Sequence, residues 1–495
     1  MTKLRNGTKI DKPTVEIQPS LGWTIQRYFL TIASMLRTNI RDYGMYIALV
    51  TILFTFGAIT NWVFLMPINF TNLLNQTAYV AVLAVGMTLV IVTRQIDLSV
   101  GFIGAFLGAF VVVNVENNNW PVALALFGAL AITVVVGLIK GVLIARIKVP
   151  SFVVTLAGMF IFRGLLLLQT DSRTIPTTNA FFRNLGVGYL PVFRVGDFDL
   201  ITLLIGAFIV ITTIALGFRS RRINEAANIP NEKLEIFVTK QFLFVAIMMY
   251  LTYTFSMFRG ISYLLLLTII VVVFYHFATT KTTLGRRIYA VGGNPEAAEL
   301  SGISVEKIII IVFVSMGVLA LISGIMFSSR LQNTSPNHGR FWELYAIAAA
   351  FIGGTSASGG IGKVVNAVVG SVVIMSLTNG MALAGVNSNI EPIILGTVLL
   401  LAVIFDIFTR NVREIDLVGI HYAKLLYEKE YKQAKESLDK AKSALNEAKK
   451  TNLGNILQYE FDVTSAQGDY NRIDDQIRVA KESDFEVLYV QKGGM

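Results

Sequence analysis

Residues Leu73 to Thr93 read LLNQTAYVAVLAVGMTLVIVT, an apolar run with no charged side chain. Its length matches the ~20 residues that carry a helix across a bilayer's hydrocarbon. Comparable runs stand at Tyr43 to Met66, Val122 to Ala145 and Pro392 to Thr409. Lipid offers backbone groups no water to bond, so such segments must be helices or a closed barrel. Their continuous apolarity lacks the two-residue alternation of a barrel strand. The chain is therefore predicted to be an all-α, polytopic helical membrane protein.

Composition agrees. Of 495 residues, 54% are hydrophobic and 15% charged, against a typical ~25% charged in soluble domains. Cysteine is absent, which removes disulfides and thiolate metal sites. The three histidines, His276, His338 and His421, are too few and too scattered to suggest a histidine metal centre. No cleavable signal is expected, because residues 1–42 are polar and basic with no short apolar core before Tyr43. The net charge is +10, yet from Asn411 onward 15 acids face 13 Lys and Arg, so the excess belongs to the membrane portion. It fits basic cytoplasmic loops, and no basic stripe with interleaved aromatics suggests nucleic acid.

Twelve spans are predicted, near 43–66, 72–94, 98–116, 121–145, 150–170, 199–218, 241–257, 261–279, 307–328, 343–358, 364–384 and 391–409. An even number returns both termini to one side. Lys and Arg gather there, at Lys3 to Arg41, Arg146 and Lys148, Arg219 to Lys240, Lys281 to Arg287 and Arg410. Both termini are thus predicted to be cytoplasmic. Three domains follow: residues 1–42, a cytoplasmic N-terminus; 43–410, the membrane domain; and 411–495, a cytoplasmic extension. In the first, Leu21, Ile25, Tyr28, Phe29, Ile32, Met35, Leu36 and Ile40 share one helical face. That helix either lies at the membrane surface or packs on the bundle.

Beyond Arg410, Tyr427, Tyr431, Ala434, Leu438, Ala441, Leu445 and Ala448 step by threes and fours, and the rhythm returns from Tyr459 to Ala480. Two heptad seams separated by Thr451-Asn452-Leu453-Gly454-Asn455 predict an antiparallel helical hairpin. Gly353 to Lys363 (GGTSASGGIGK) looks superficially like a phosphate loop. A Walker loop needs Gly six places before the Lys and Ser or Thr after it, where this chain has Ala357 and Val364. The segment reads instead as a break between two short membrane helices, with small-residue helix packing as the competing explanation.

Polar residues inside spans demand reasons, since a charge at the bilayer centre costs at least ~2.5–3.5 kcal/mol. Asp97 is expected to pair with Arg94 in a tight turn or to cap the next helix, with Ser99 beside it. Asn75, Gln76, Asp97, Ser99, Thr155, Arg163, Thr378 and Asn379 are candidates for a translocation path for a polyhydroxylated solute. Bonds between neighbouring helices explain each of them equally well in kind. On the cytoplasmic side, Asn294-Pro295-Glu296-Ala297-Ala298, closed by Gly302, predicts a short helix with Asn as cap, Pro at the first position and glycine as stop. Such a lever suits insertion into a groove on a cytoplasmic protein.

Glu296-Ala297-Ala298 followed by Gly302 resembles the coupling motif of permease subunits in bacterial ATP-binding-cassette importers. Ala84 to Gly101, Leu284 to Ile303, Glu343 to Gly370, and Phe162-Arg163-Gly164 with Ser172-Arg173-Thr174-Ile175 resemble the ribose/xylose/galactose permease group. The similarity spans roughly residues 40 to 410. The insert from about Phe218 to Thr279, a basic loop with an extra pair of spans, resembles the xylose-type and multiple-sugar permeases. Arg94-Gln95 departs from a glycine-rich turn usual in the family, and the hairpin after residue 411 lies outside the family pattern.

The resemblance implies a subunit of the bacterial inner membrane that works as a homodimer. Its partners would be a separate ATPase, which alone binds ATP, and a periplasmic sugar-binding protein. The chain itself would be no enzyme and hold no cofactor. Asn294, Pro295, Glu296, Ala297, Ala298 and Gly302 would couple to the ATPase, and the outer loops Asp171 to Asp199 and Arg330 to Phe341 would receive the binding protein. Nucleoside import by a similar permease is the nearest alternative. Different classes are an ion-coupled carrier, which would favour membrane-embedded carboxylates, a membrane enzyme, for which no catalytic cluster appears, and a membrane scaffold presenting the hairpin.

Overall fold

The computed structural model describes residues 40–227, 229, 231, 234–409, 417–451 and 456–482. The chain divides into two compact units, Arg41–Asn411 and Met1–Ile40 with Val412–Met495. Of the amphipathic helix expected from Leu21 to Ile40, all but Ile40 falls outside the described residues.

The larger unit is a helical bundle. Its helices are α1 (Ile40–Ile59), α2 (Pro67–Val92), α3 (Val100–Glu116), α4 (Val122–Ala145), α5 (Ser151–Gln169), α6 (Ala180–Val187), α7 (Leu200–Ala226), α8 (Leu234–Met257) and α9 (Tyr263–Lys281). Then follow α10 (Thr283–Gly293), α11 (Pro295–Leu300), α12 (Val305–Leu331), α13 (Trp342–Ile352), α14 (Val364–Leu383) and α15 (Glu391–Thr409). Four two-residue strands, β1 (Ile175–Pro176), β2 (Arg194–Val195), β3 (Phe198–Asp199) and β4 (Asn333–Thr334), pair antiparallel as β1 with β4 and β2 with β3. Among the described residues, eight helices are long and apolar enough to cross a membrane, and four further apolar helices are shorter. This is a multi-pass helical membrane protein.

Short polar side chains begin many of these helices by accepting free backbone N–H groups. Asn179 starts α6, Asp199 α7, Ser262 α9, Thr282 α10, Asn294 α11 and Ser304 α12 in this way. Pro67 opens α2 at its first position, where a missing N–H is no loss.

Between apolar helices in lipid there is no hydrophobic driving force, so close packing through small residues takes its place. Helix α12 lies at the centre of that packing. Gly104 and Gly108 of α3 face Gly324 of α12, and Gly137 and Gly141 of α4 face Val314 and Ile310. Gly86 of α2 gives room to Met316 and Leu319. Helices α2 and α12 are largely buried, whereas α4, α5, α7, α8 and α9 turn apolar side chains such as Phe127, Phe160, Phe208, Phe242 and Phe274 outward. The outward set is the lipid-facing surface of a membrane bundle.

Three segments differ from the sequence expectation. The span placed at 343–358 is helical only over Trp342–Ile352, 11 residues, or about 16 Å at 1.5 Å per residue. The glycines from Gly353 onward end it, as the predicted break requires, and the next helix starts at Val364. Helix α7 runs past 218 and α8 starts before 241, so most of the basic "loop" is helix. Arg219, Arg221 and Arg222 sit in the C-terminal part of α7, ahead of its last turn. Finally, Thr283 to Gly293, expected as connecting loop, is a helix.

The second unit contains α16 (Leu417–Thr451) and α17 (Ile456–Glu482). They pack antiparallel: the Tyr431 and Tyr470 hydroxyls bond each other with ring centroids 5.1 Å apart, and Lys449 Nζ lies 3.1 Å from Glu460 Oε1. Leu438 is buried in the seam. The expected hairpin turn at 452–455 lies outside the described residues.

Candidate functional site

The turn between α2 and α3 gathers the strongest polar contacts of the bundle. Lys140 of α4 places Nζ 2.6 Å from Asp97 Oδ2 and donates to Ser99 Oγ at 3.1 Å. Asp97 Oδ1 accepts from Ser99 N at 2.9 Å and Ser99 Oγ at 2.5 Å. Both charged residues are buried, Asp97 at 0% and Lys140 at 4% exposure, and the ammonium lies 5.6 Å above the Phe313 ring. Thr155 donates to Ile96 O at 3.3 Å and fixes α5 to the same turn.

This arrangement corrects both expectations for Asp97. Its charge partner is Lys140, not Arg94, and it does not cap α3, whose N-cap is Ser99 without a side-chain bond. Asp97, Ser99 and Thr155 direct their hydrogen bonds into the wall of the bundle. Lys140 was missed by the sequence reading, although one lysine in the run Val122 to Ala145 is the signal that could have found it.

Arg94 points the other way, to the α10–α11 helix pair. Its Nε donates to Gly292 O at 2.7 Å and its Nη2 to Gly293 O. The glycine-rich segment after α13 packs into the same junction: Gly360 N donates to Val92 O at 2.9 Å, and Tyr289 Oη to Gly362 O at 2.6 Å. A Cβ on Gly292 or Gly359 would fall within 3 Å of Val92 O. The GGTSASGGIGK stretch thus serves close backbone approach between three segments.

Helix α11 follows directly. Asn294 Oδ1 accepts from Ala297 N at 3.0 Å, and Pro295 holds the first position. At the other end Ile303 N donates to Ala298 O at 3.0 Å and Gly302 N to Glu299 O at 2.9 Å, with Gly302 at φ +79°. This paired closure around a left-handed glycine is a Schellman motif. Ala298 is buried against its own chain, while Glu296, Ala297 and Glu299 are exposed. Leu300 is 91% exposed. A leucine so placed offers an apolar anchor, and the sequence reading did not single it out.

The remaining path candidates lie elsewhere. Asn379 Nδ2 donates to Gln76 Oε1 at 3.4 Å, and Asn69 Nδ2 donates to Asn379 Oδ1 at 3.0 Å. Asn75 Oδ1 accepts from Ser262 Oγ at 2.5 Å. Thr378 bonds back to Ile374 O at 3.4 Å. This cluster is separated from Thr93 by roughly 25 Å along α2, at 1.5 Å per residue. Arg163 stands apart on α5, exposed, with its guanidinium 5.8 Å from the Phe102 ring. The candidates therefore form an amide cluster near the start of α2, an ion-paired knot beyond its end and a separate arginine.

The carboxylates Asp97 and Glu343 both lie at helix ends and are buried. Asp97 is neutralised by Lys140, and Glu343 is buried in the first turn of α13. Glu391 accepts from Tyr345 Oη at 2.6 Å. The Asp406 side chain lies outside the described residues. At the end of α3, Glu116 binds Thr177 Oγ1 at 2.5 Å, Thr178 N at 3.0 Å and Asn179 N at 3.0 Å, and so orders the loop that leads into α6.

A bundle of close-packed crossings, with broken segments inside and a capped helix elbow on one face, defines a membrane permease. The chain belongs to the family described as branched-chain amino acid transport system / permease component, whose pattern matches residues 69–403. It is 37% identical to the xylose transport system permease protein XylH of Haemophilus influenzae, over 74% of this chain and 96% of that protein. It is likewise 37% identical to XylH of Escherichia coli K12, over 75% of this chain and 93% of that protein. The ribose import permease protein RbsC of Bacillus subtilis is 33% identical over 70% of this chain and 88% of its own length. No solved structure matches the chain.

Proposed function

We propose that this chain is the permease subunit of an ATP-binding-cassette importer, passing a monosaccharide of the xylose type into the cytoplasm. The observation that carries the reading is the α10–α11 elbow, capped at both ends and presenting Leu300 outward. A helix held this firmly transmits a push instead of absorbing it. Asn294, Pro295 and Gly302 set its shape; Glu296, Ala297, Glu299 and Leu300 form the partner-facing side; and Ala298 roots it in the bundle. The names of the xylose and ribose relatives supply the solute class.

In this reading the energy source is ATP bound by a separate subunit, which fits the lack of the Walker positions in residues 353–363. The loaded binding protein docks on the outer loops, where Glu116 and Asp199 hold the backbone in shape. Partner closure around ATP moves α11, and with it the bundle, between outward- and inward-open states. Asn75, Gln76, Thr378 and Asn379 form the outer part of the path. Asp97, Ser99 and Thr155 keep its inner wall in register. Arg163, exposed on a membrane helix, is costly against lipid; a second copy of the chain would cover that face, which supports a homodimer. The complex sits in the bacterial inner membrane with both termini cytoplasmic.

The test is purification of the complex from its native host in mild detergent. Retention of an ATP-binding-cassette ATPase by the wild type and its loss in Leu300→Arg, with [14C]xylose uptake abolished, supports the reading. Uptake that follows an ion gradient, with no ATPase retained, refutes it. Uptake of a nucleoside but not of xylose keeps the importer and changes the solute.

A further inference from the structure

Arg94 occupies the left-handed region, at φ +62°. A side chain with a Cβ is disfavoured there, and glycine is the natural occupant. The position therefore holds an arginine against local backbone preference. What its side chain gains is specific. The last carbonyls of α10 have no partner within the helix, and two of them, Gly292 O and Gly293 O, accept from the Arg94 guanidinium. A cation at a helix C-terminus is also favoured by the dipole. The fork of Arg94 thus closes the end of α10 at the point where Asn294 begins α11.

The same turn is fastened at its other end by Asp97, which binds Lys140 of α4 and Ser99 at the start of α3. Only Gln95 and Ile96 separate the two anchors. Gln95 N donates to Val90 O at 3.0 Å, so the short link is itself folded against α2. Displacement of α11 is delivered through Arg94 to a segment with little slack.

We propose that Arg94 is a positioning residue that clamps the α10–α11 elbow to the α2–α3 turn and passes its movement to the bundle. This rests on the reading of α11 as the ATPase contact. Arg94→Gly is the informative variant, because glycine suits φ +62° and the backbone keeps its path. Arg94→Lys keeps the charge but loses the planar two-donor fork.

The test has two arms on the full chain. In lipid nanodiscs, hydrogen exchange of amides 292–303 should rise about tenfold in Arg94→Gly, as expected for loss of a charge-assisted bond, with Arg94→Lys in between. In the reconstituted complex, [14C]xylose taken up per ATP hydrolysed should fall several-fold in the same order. Unchanged exchange at 292–303 overturns the clamp. Raised exchange with unchanged uptake per ATP overturns transmission through it. If the parent reading is wrong, Leu300→Arg retains the ATPase, a result that neither arm on Arg94 can mimic.

Discussion

Lys140 Nζ and Asp97 Oδ2 lie 2.6 Å apart inside the bundle, joining the C-terminal third of one apolar helix to the turn between two others. The pair is completed by Ser99, which bonds both members. A charge buried without its partner is far more costly than the same pair replaced by matched apolar groups.

Lys140→Met is therefore expected to destabilise the protein by roughly 3–5 kcal/mol, because Asp97 is stranded. The double change Lys140→Met with Asp97→Leu should recover a large part of that loss. Thermal unfolding of the four purified proteins in one detergent measures the coupling directly. Equal losses in the single and double variants would show that the pair is not what holds the turn.

This pair also marks how far the sequence is readable. Helices were legible because a bilayer imposes a length and an apolar content that each span displays in isolation. The cap of α11 was legible for the same local reason: Asn294, Pro295 and Gly302 each act within a few residues of their position. The partner of Asp97 was not, because Lys140 is 43 residues away and its fit depends on the approach of α4. Arg94, adjacent in sequence, was the nearer guess, but its left-handed backbone turns it toward Gly292. The outward Leu300 was also hidden, since which face of a six-residue helix is free depends on where Ala298 is rooted. The polar residues of the path looked like one set in the sequence, yet α2 alone separates two of its groups.

The shape of α11 rests on its two ends. Asn294→Ala should cost about 1 kcal/mol through loss of the cap. Gly302→Val should cost about 1–2 kcal/mol by forcing a branched side chain to positive φ. Hydrogen exchange at 295–301 should report both, with more exchange in each variant, and retention of the ATPase should weaken in the same order. Unaltered exchange would mean that the elbow is held by its neighbours alone.

Asp199 predicts a pH dependence at the start of α7. Burial pushes its carboxyl up, but bonds from Thr202, Phe193 and Ile201 outweigh burial and leave it below its ordinary 3.8. A group depressed in the folded state contributes stability that is present above its unfolded pKa and lost as pH falls through the folded one. The hairpin of β2 and β3 should therefore stay protected from pH 7 to about 4 and loosen only below the usual carboxylate range. In Asp199→Asn the acid step should vanish and protection be lower throughout. Exchange measured at residues 190–202 across that pH range checks it, and loosening already at pH 5–6 would contradict it.

The crossing of α3 on α12 depends on the absence of side chains. A Cβ on Gly324 would collide with Gly104 O, whereas one on Gly396 of α15 meets nothing within 4 Å. Gly324→Ala should push the two helices apart at a cost of roughly 1–3 kcal/mol, the usual penalty for overpacking. Gly324→Val should be worse, since the branch extends toward the same carbonyl. Gly396→Ala serves as the matched change at an open site, where loss of glycine's conformational freedom gives a neutral or slightly stabilised protein, by up to about 1 kcal/mol. Thermal midpoints of the three variants in one detergent should fall in the order Gly396→Ala, Gly324→Ala, Gly324→Val. If Gly324→Ala matched Gly396→Ala, the two helices would have room to spare, and the small-residue crossing would not be what sets their distance.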